Sequence, residues 1–152
     1  MQHGRWIVVG TDFSDGAQCA LEHAIRLAGR AGARTALVHA YEDPLDGLSS
    51  GEDRAPALRA QLEDAIARAG ENGDGVPIEA FVRRGAPWEK LLNVAVEVGA
   101  DLIVVGATGQ RGAVAATGAL LGSVAYRVVS SSTRSVLISR ISVDRGRSAA
   151  AP

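Results

Sequence analysis

Apolar residues along this chain switch repeatedly between two periods. Trp6, Ile7, Val8 and Val9 form a short, largely β-branched run, which predicts a buried strand. Asp12 and Ser14 follow it and suit the start of a helix. Ala17, Leu21, Ala24, Ile25 and Ala28 then fall on one helical stripe, and Gly29, Gly32 and Ala33 punctuate its end. Residues 35–40 read as a second strand, and residues 42–52, rich in Asp, Pro, Gly and Ser, as a loop. Leu58, Leu62, Ala65, Ile66 and Ala69 mark a second helix that runs out in the glycine-rich stretch 70–75. Residues 77–82 make a weaker strand with Ile78, Ala80 and Val82 on one side. A third helix follows Pro87, carrying Trp88, Leu91, Leu92, Ala95 and Val96 on its stripe. Residues 101–106 are apolar on both faces, as a central parallel strand requires. Leu121, Val124, Ala125, Val128 and Val129 give a fourth helix, residues 130–134 a polar turn, and Val136, Leu137 and Ile138 a last strand.

Strict alternation of strand and helix predicts an α/β fold. It is a single-domain, open, parallel five-stranded sheet with helices on both faces, Rossmann-like in architecture. The domain is expected over residues 1–143, followed by a disordered tail over 144–152. A length of 152 residues suits one domain, large enough to need no disulfide or metal staple.

Composition removes several function classes. Hydrophobic residues at 47% and charged residues at 22% exclude a disordered chain. A net charge of -1 gives no footprint for nucleic acid or an anionic membrane. No apolar run approaches the roughly 18 residues of a membrane span. The first six residues have neither the basic nor the long apolar segment of a secretory leader. Cys19 has no second cysteine to pair with, which fits a reducing cytoplasm. Lys90 is the single lysine, so a Gly-Lys-Ser/Thr phosphate loop is missing and lysine Schiff-base chemistry loses its candidates. His3, His23 and His39 are scattered and match no zinc spacing.

In such a sheet, ligands bind beyond the carboxyl ends of the strands, where the strand order reverses. Three segments stand there: residues 10–14 (Gly-Thr-Asp-Phe-Ser), residues 40–42 (Ala-Tyr-Glu) and the glycine-rich stretch 106–112. Gly106, Gly109 and Gly112 let backbone N–H groups approach an anion closely; a flexible surface loop is the plain alternative. Gly122 lies inside a helical pattern that disfavours glycine by about 1 kcal/mol. It marks either a close approach to the backbone or the start of the helix, where Ser123 is placed to cap it and bind a phosphate oxygen. None of these stretches is a Gly-x-Gly-x-x-Gly dinucleotide fingerprint, and the acidic cluster of a response regulator is missing.

Five stretches in order carry a likeness: residues 7–14, 37–40, 84–87, 100–106 and 122–125. Over roughly residues 5–140 the chain resembles the universal stress protein family. The resemblance implies a five-stranded parallel sheet of the adenine nucleotide alpha hydrolase-like type, usually in a homodimer paired through the last strand. Many family members bind ATP through Gly-x2-Gly-x9-Gly-Ser/Thr. Gly109-x2-Gly112-x9-Gly122-Ser123 fits that spacing. In the family, however, the first glycine usually ends the strand, a place held here by Gly106. From Gly109, twelve residues precede Gly122, so about three extra residues fall within 109–117.

By that resemblance Asp12, after Gly10 and Thr11, would hydrogen-bond the adenosine part of a nucleotide. Gly10 and Ala40 would line the base pocket above Val105. Gly106, Gly109, Gly112, Gly122, Ser123 and Val124 would surround the phosphates of ATP, with or without Mg²⁺. Each residue also has a plainer role. Asp12 reads equally as a helix cap and Arg111 as a phosphate partner or a solvated side chain. Glu42 and Asp43 are Mg²⁺ candidates or an ordinary acidic loop. Cys19 reads as a packed thiol, His39 as a structural hydrogen-bonder, Trp88 as core, and Asp64 with Arg68 as a helix-supporting pair. No group beside the loop resembles a general base, so no catalytic residue is assigned and any ATP hydrolysis is expected to be slow. A nucleotide-activating enzyme would need a Ser-Gly-Gly-x-Asp-Ser-like loop that residues 10–14 do not match. The expectation is an ATP-binding regulatory module; the alternative is a dimeric scaffold of the same family that binds no nucleotide. Val136, Leu137 and Ile138 would leave an apolar edge exposed in a monomer, which favours a homodimer.

Overall fold

The computed structural model describes residues 4–43, 53–70, 75–108 and 121–141. Five strands and four helices alternate: β1 (Trp6–Gly10), α1 (Asp15–Ala31), β2 (Arg34–Tyr41), α2 (Ala55–Gly70), β3 (Ile78–Arg84), α3 (Pro87–Val98), β4 (Leu102–Gly106), α4 (Ser123–Ser131) and β5 (Ser135–Ser139). All neighbouring strands pair in parallel, in the order β3-β2-β1-β4-β5. The order reverses between β1 and β4, so the carboxyl ends of those two strands flank the crevice where such sheets bind ligands.

Each of the three central strands splits its side chains between two cores. Ile7, Val9, Leu37 and Val104 pack with Leu21, Ile25 and Leu62 beneath α1 and α2. Val8, Ala36, Val38, Ile103 and Val105 pack with Leu91, Val94 and Val128 beneath α3 and α4. Burial on both sides explains why the three central strands read as continuous apolar runs rather than alternating ones.

Helix ends follow local chemistry. Ser14 caps α1, accepting from the Ala17 amide at 3.2 Å, and Gly32 ends the helix in the left-handed conformation with φ 63°. Pro87 opens α3, where a missing N–H costs nothing, and Gly99 closes it at φ 67°. Four sequence expectations are corrected by the structure. Val96 is 66% exposed and Val94 is buried in its place, because the α3 face is set by where the sheet lies. Val129 is likewise 46% exposed on the outer side of α4. That helix continues through Ser131, so the polar turn is shorter than residues 130–134. Asp64 and Arg68 are also not among the ion pairs of the described residues, which are Arg34–Glu79, Arg83–Glu97 and Arg84–Asp43. Water competes with such exposed pairs and leaves little to gain from forming them. Among the described residues, no helix is long and apolar enough to cross a membrane.

Thr35 is fully buried, and its hydroxyl has no hydrogen-bond partner among the described residues. Such a group forfeits its hydration without compensation. Thr35→Val keeps the β-branched shape, so the expected result is a gain of about 1 kcal/mol. A higher urea midpoint at unchanged slope is the readout; an unchanged or lower midpoint would refute the account.

Candidate functional site

A cavity of about 380 Å³ opens at the carboxyl ends of β1, β2 and β4. Its base is apolar, formed by Val38, Leu91 and Val105, and its rim is polar, with Thr11, Asp12, His39, Thr108 and Ser123. The amino termini of α1, α3 and α4 all reach it, through Ser14, Pro87 and Gly122. Helix amino termini carry partial positive charge and N–H groups without intrahelical partners.

The turn after β1 is held by a dense local network. The Thr11 amide donates to Val38 O at 2.9 Å and the Phe13 amide to Thr11 Oγ1 at 3.0 Å. Asp12 Oδ1 accepts from the Ser14 amide at 3.0 Å and from the Ser14 hydroxyl at 2.5 Å. Phe13 adopts φ 64°, a left-handed conformation that is uncommon for a bulky residue and clusters at functional sites. His39 Nδ1 lies 2.8 Å from Thr11 O, and its ring packs against Phe13 in a tilted arrangement, centroids 4.5 Å apart and planes at 41°.

Glycines set how closely the walls approach. A Cβ on Gly10 would come within 3.0 Å of Leu91 Cδ2. A Cβ on Gly106 would sit 3.2 Å from the Gly16 carbonyl group, and one on Gly16 would sit 3.0 Å from Thr108 O. The exit of β4 therefore packs backbone to backbone against the first turn of α1.

Gly10, Thr11, Asp12, Ala40, Val105, Gly106, Gly122, Ser123 and Val124 all line this cavity. Gly109, Arg111 and Gly112 lie outside the described residues. Ser123 is not the cap of α4: Gly122 holds that position, and no side chain of the described residues caps the helix. The Gly122 amide is turned back to Ala107 O at 2.7 Å, which fixes the entry to the helix. Asp43 is taken by an exposed ion pair with Arg84. No group of three or more His, Cys, Asp or Glu side chains among the described residues could hold a metal ion. Cys19 is half-buried, with Sγ 4.0 Å from Arg140 O, away from the cavity lining.

The sequence reading missed Ser14, Ala17, Val38, His39, Pro87, Leu91, Thr108 and Ala125 as lining residues. Most are apolar residues on a helical or strand stripe, indistinguishable in sequence from core. Pro87 carried a signal, since it ends the Arg84-Gly85-Ala86-Pro87 stretch that begins the third helix.

The chain is thus a small α/β domain, a doubly wound parallel sheet whose cleft, apolar below and bordered by helix amino termini, lies at its switch point, the place where such sheets bind ligands. The sequence profile of the Universal stress protein family matches residues 5–140. The chain belongs to that family. A universal stress protein of Mycolicibacterium smegmatis is 34% identical over 137 residues, covering 88% of this chain; the chain spans 45% of that relative's length. Among solved structures, a universal stress protein in complex with cAMP superposes with a TM-score of 0.69 at 36% identity, covering 91% of this chain and 98% of that one. The universal stress protein from Archaeoglobus fulgidus in complex with dAMP superposes with a TM-score of 0.65 at 25% identity, covering 89% and 97%.

Proposed function

We propose that this protein is an adenine-nucleotide-binding regulatory module, with ATP as its ligand. The observation that carries the reading is the polarity of the cavity. An ionised carboxylate such as Asp12 only accepts hydrogen bonds, so it suits the hydroxyl and amino donors of a nucleoside and repels phosphate. The amino terminus of α4, uncapped by any described side chain, offers N–H groups and a positive dipole end for the phosphates. Gly10, Ala40 and Val105 in the same lining offer apolar surface for a base. Two relatives crystallised with cAMP and dAMP support an adenine nucleotide in this cleft. Any Mg²⁺ would be held by the phosphates and water, because the described residues gather no ligand set for it. A single unpaired thiol, Cys19, suits a reducing cytoplasm.

Isothermal titration with cAMP, AMP, ADP and ATP, each with and without Mg²⁺ and with GTP as a control, tests this reading. Saturable binding of the adenine series is expected. Failure of all four adenine ligands would leave the family's scaffold role in its place.

The module is proposed to act as a homodimer through β5, the sheet edge next to β4. Leu137 on this strand is 38% exposed and Ile141, just past its end, 55% exposed, a liability unless the edge is paired. Leu137→Pro removes a ladder donor and is expected to yield monomers or aggregates by light scattering. An unchanged dimer mass would move the interface elsewhere.

A further inference from the structure

From the geometry of the β1–α1 turn we infer that His39 is a positioning residue for the ligand site. It acts through its Nδ1–H on the peptide that presents Asp12. The inference rests on the nucleotide reading for its ligand, and on the turn alone for its mechanism.

Thr11 is gripped from both sides by consecutive residues of β2. Its N–H donates to Val38 O at 2.9 Å, and its C=O faces His39 Nδ1 at 2.8 Å. A carbonyl oxygen can only accept, so Nδ1 must carry the proton. Asp12 is the next residue. Its carboxylate is aimed by the Ser14 amide and hydroxyl, and Phe13 between them sits at φ 64°. Such a backbone persists only where its surroundings over-determine it. The His39 ring supplies two of those constraints, the bond to Thr11 and the tilted ring contact with Phe13. Releasing the Thr11 carbonyl lets the turn relax, and the Asp12 carboxylate leaves the orientation a nucleoside needs.

The test uses the difference between two amides. Asparagine places its side-chain N–H near the Nδ1 position of histidine, and glutamine places its own near Nε2. Glutamine is the closer match in size and fills more of the space beside Phe13. A purely packing role therefore predicts that His39→Gln outperforms His39→Asn in every measurement. Positioning predicts the opposite for binding. Affinity for ATP is expected to stay within about threefold for His39→Asn and to fall about tenfold for His39→Gln, the scale of one lost hydrogen bond. Thermal stability is expected to rank the other way.

Hydrogen exchange at the Phe13 and Ser14 amides without nucleotide gives a second, independent readout. Exchange should be about tenfold faster in His39→Gln than in His39→Asn. Equal affinity and equal exchange in the two variants would overturn the inference. Wild-type protein that binds no adenine nucleotide, with the exchange difference intact, would overturn the nucleotide reading and leave the clamp on Asp12 standing.

Discussion

ATP present at one hundred times its dissociation constant is expected to stabilise the protein by about 2.7 kcal/mol, because it binds the folded chain and not the unfolded one. For a domain of this length that is a rise in midpoint of roughly 5–10 °C. Two substitutions of Asp12 divide the effect between ligand and turn. Asp12→Ala removes the acceptor of both Ser14 bonds and is expected to cost about 1 kcal/mol without ligand, the scale of a lost cap. Asp12→Asn keeps an oxygen acceptor for Ser14 while losing the charge and presenting N–H groups to the ligand. Its stability without ligand should stay near wild type, and its ATP-induced shift should largely vanish. A full shift in Asp12→Asn would reduce Asp12 to a structural cap.

Gly106→Val is expected to do the most damage of any change at the site. A Cβ at that position already meets the backbone of Gly16 at 3.2 Å, and backbone has little room to yield. Adding two methyl groups forces β4 and α1 apart, at about 1–3 kcal/mol for an overpacked interior. The same displacement moves Gly106, Thr108 and the first turn of α1, all of which border the cavity, so ATP binding should be lost as well. Gly70→Ala is the control, since a Cβ there meets nothing within 4 Å. It should leave binding unchanged and stability equal or slightly higher. Urea unfolding and titration calorimetry on the pair read both effects. Wild-type affinity in Gly106→Val would mean that the β4–α1 contact does not shape the site.

The sheet and its helices were legible because each buried stretch obeys one period. The central strands are apolar on both faces and the helices on one, which identifies a parallel sheet covered on both sides. Where one face of a helix had to be chosen, sequence alone was weaker. Val96 and Val94 are the same residue type two positions apart on α3, and only the lie of the sheet decides which is buried. Ser123 followed a similar course. A serine beside a glycine reads as a cap, but the Gly122–Ala107 hydrogen bond sets the helix start one residue earlier.

The candidate site divides along the same line. The residue types and their order, from Gly10-Thr11-Asp12 through Gly106 to Gly122-Ser123, were enough to point to a family and a class of ligand. Each of these ends a strand, follows one directly or starts a helix, where local sequence dictates local backbone. Pro87 and Leu91 reach the cavity from α3, and Gly16 meets Thr108 across the β4–α1 junction, through contacts between segments distant in the chain. Whether His39 would hold its neighbours or face solvent likewise depended on β2 lying beside β1, which brings its ring to the Thr11 carbonyl. Sequence determined which elements form and which residues end them, because those choices are made within a few residues. Tertiary structure decided which apolar faces are covered, which glycines are obligatory and which ring grips which peptide, because those choices exist only once the strands are side by side.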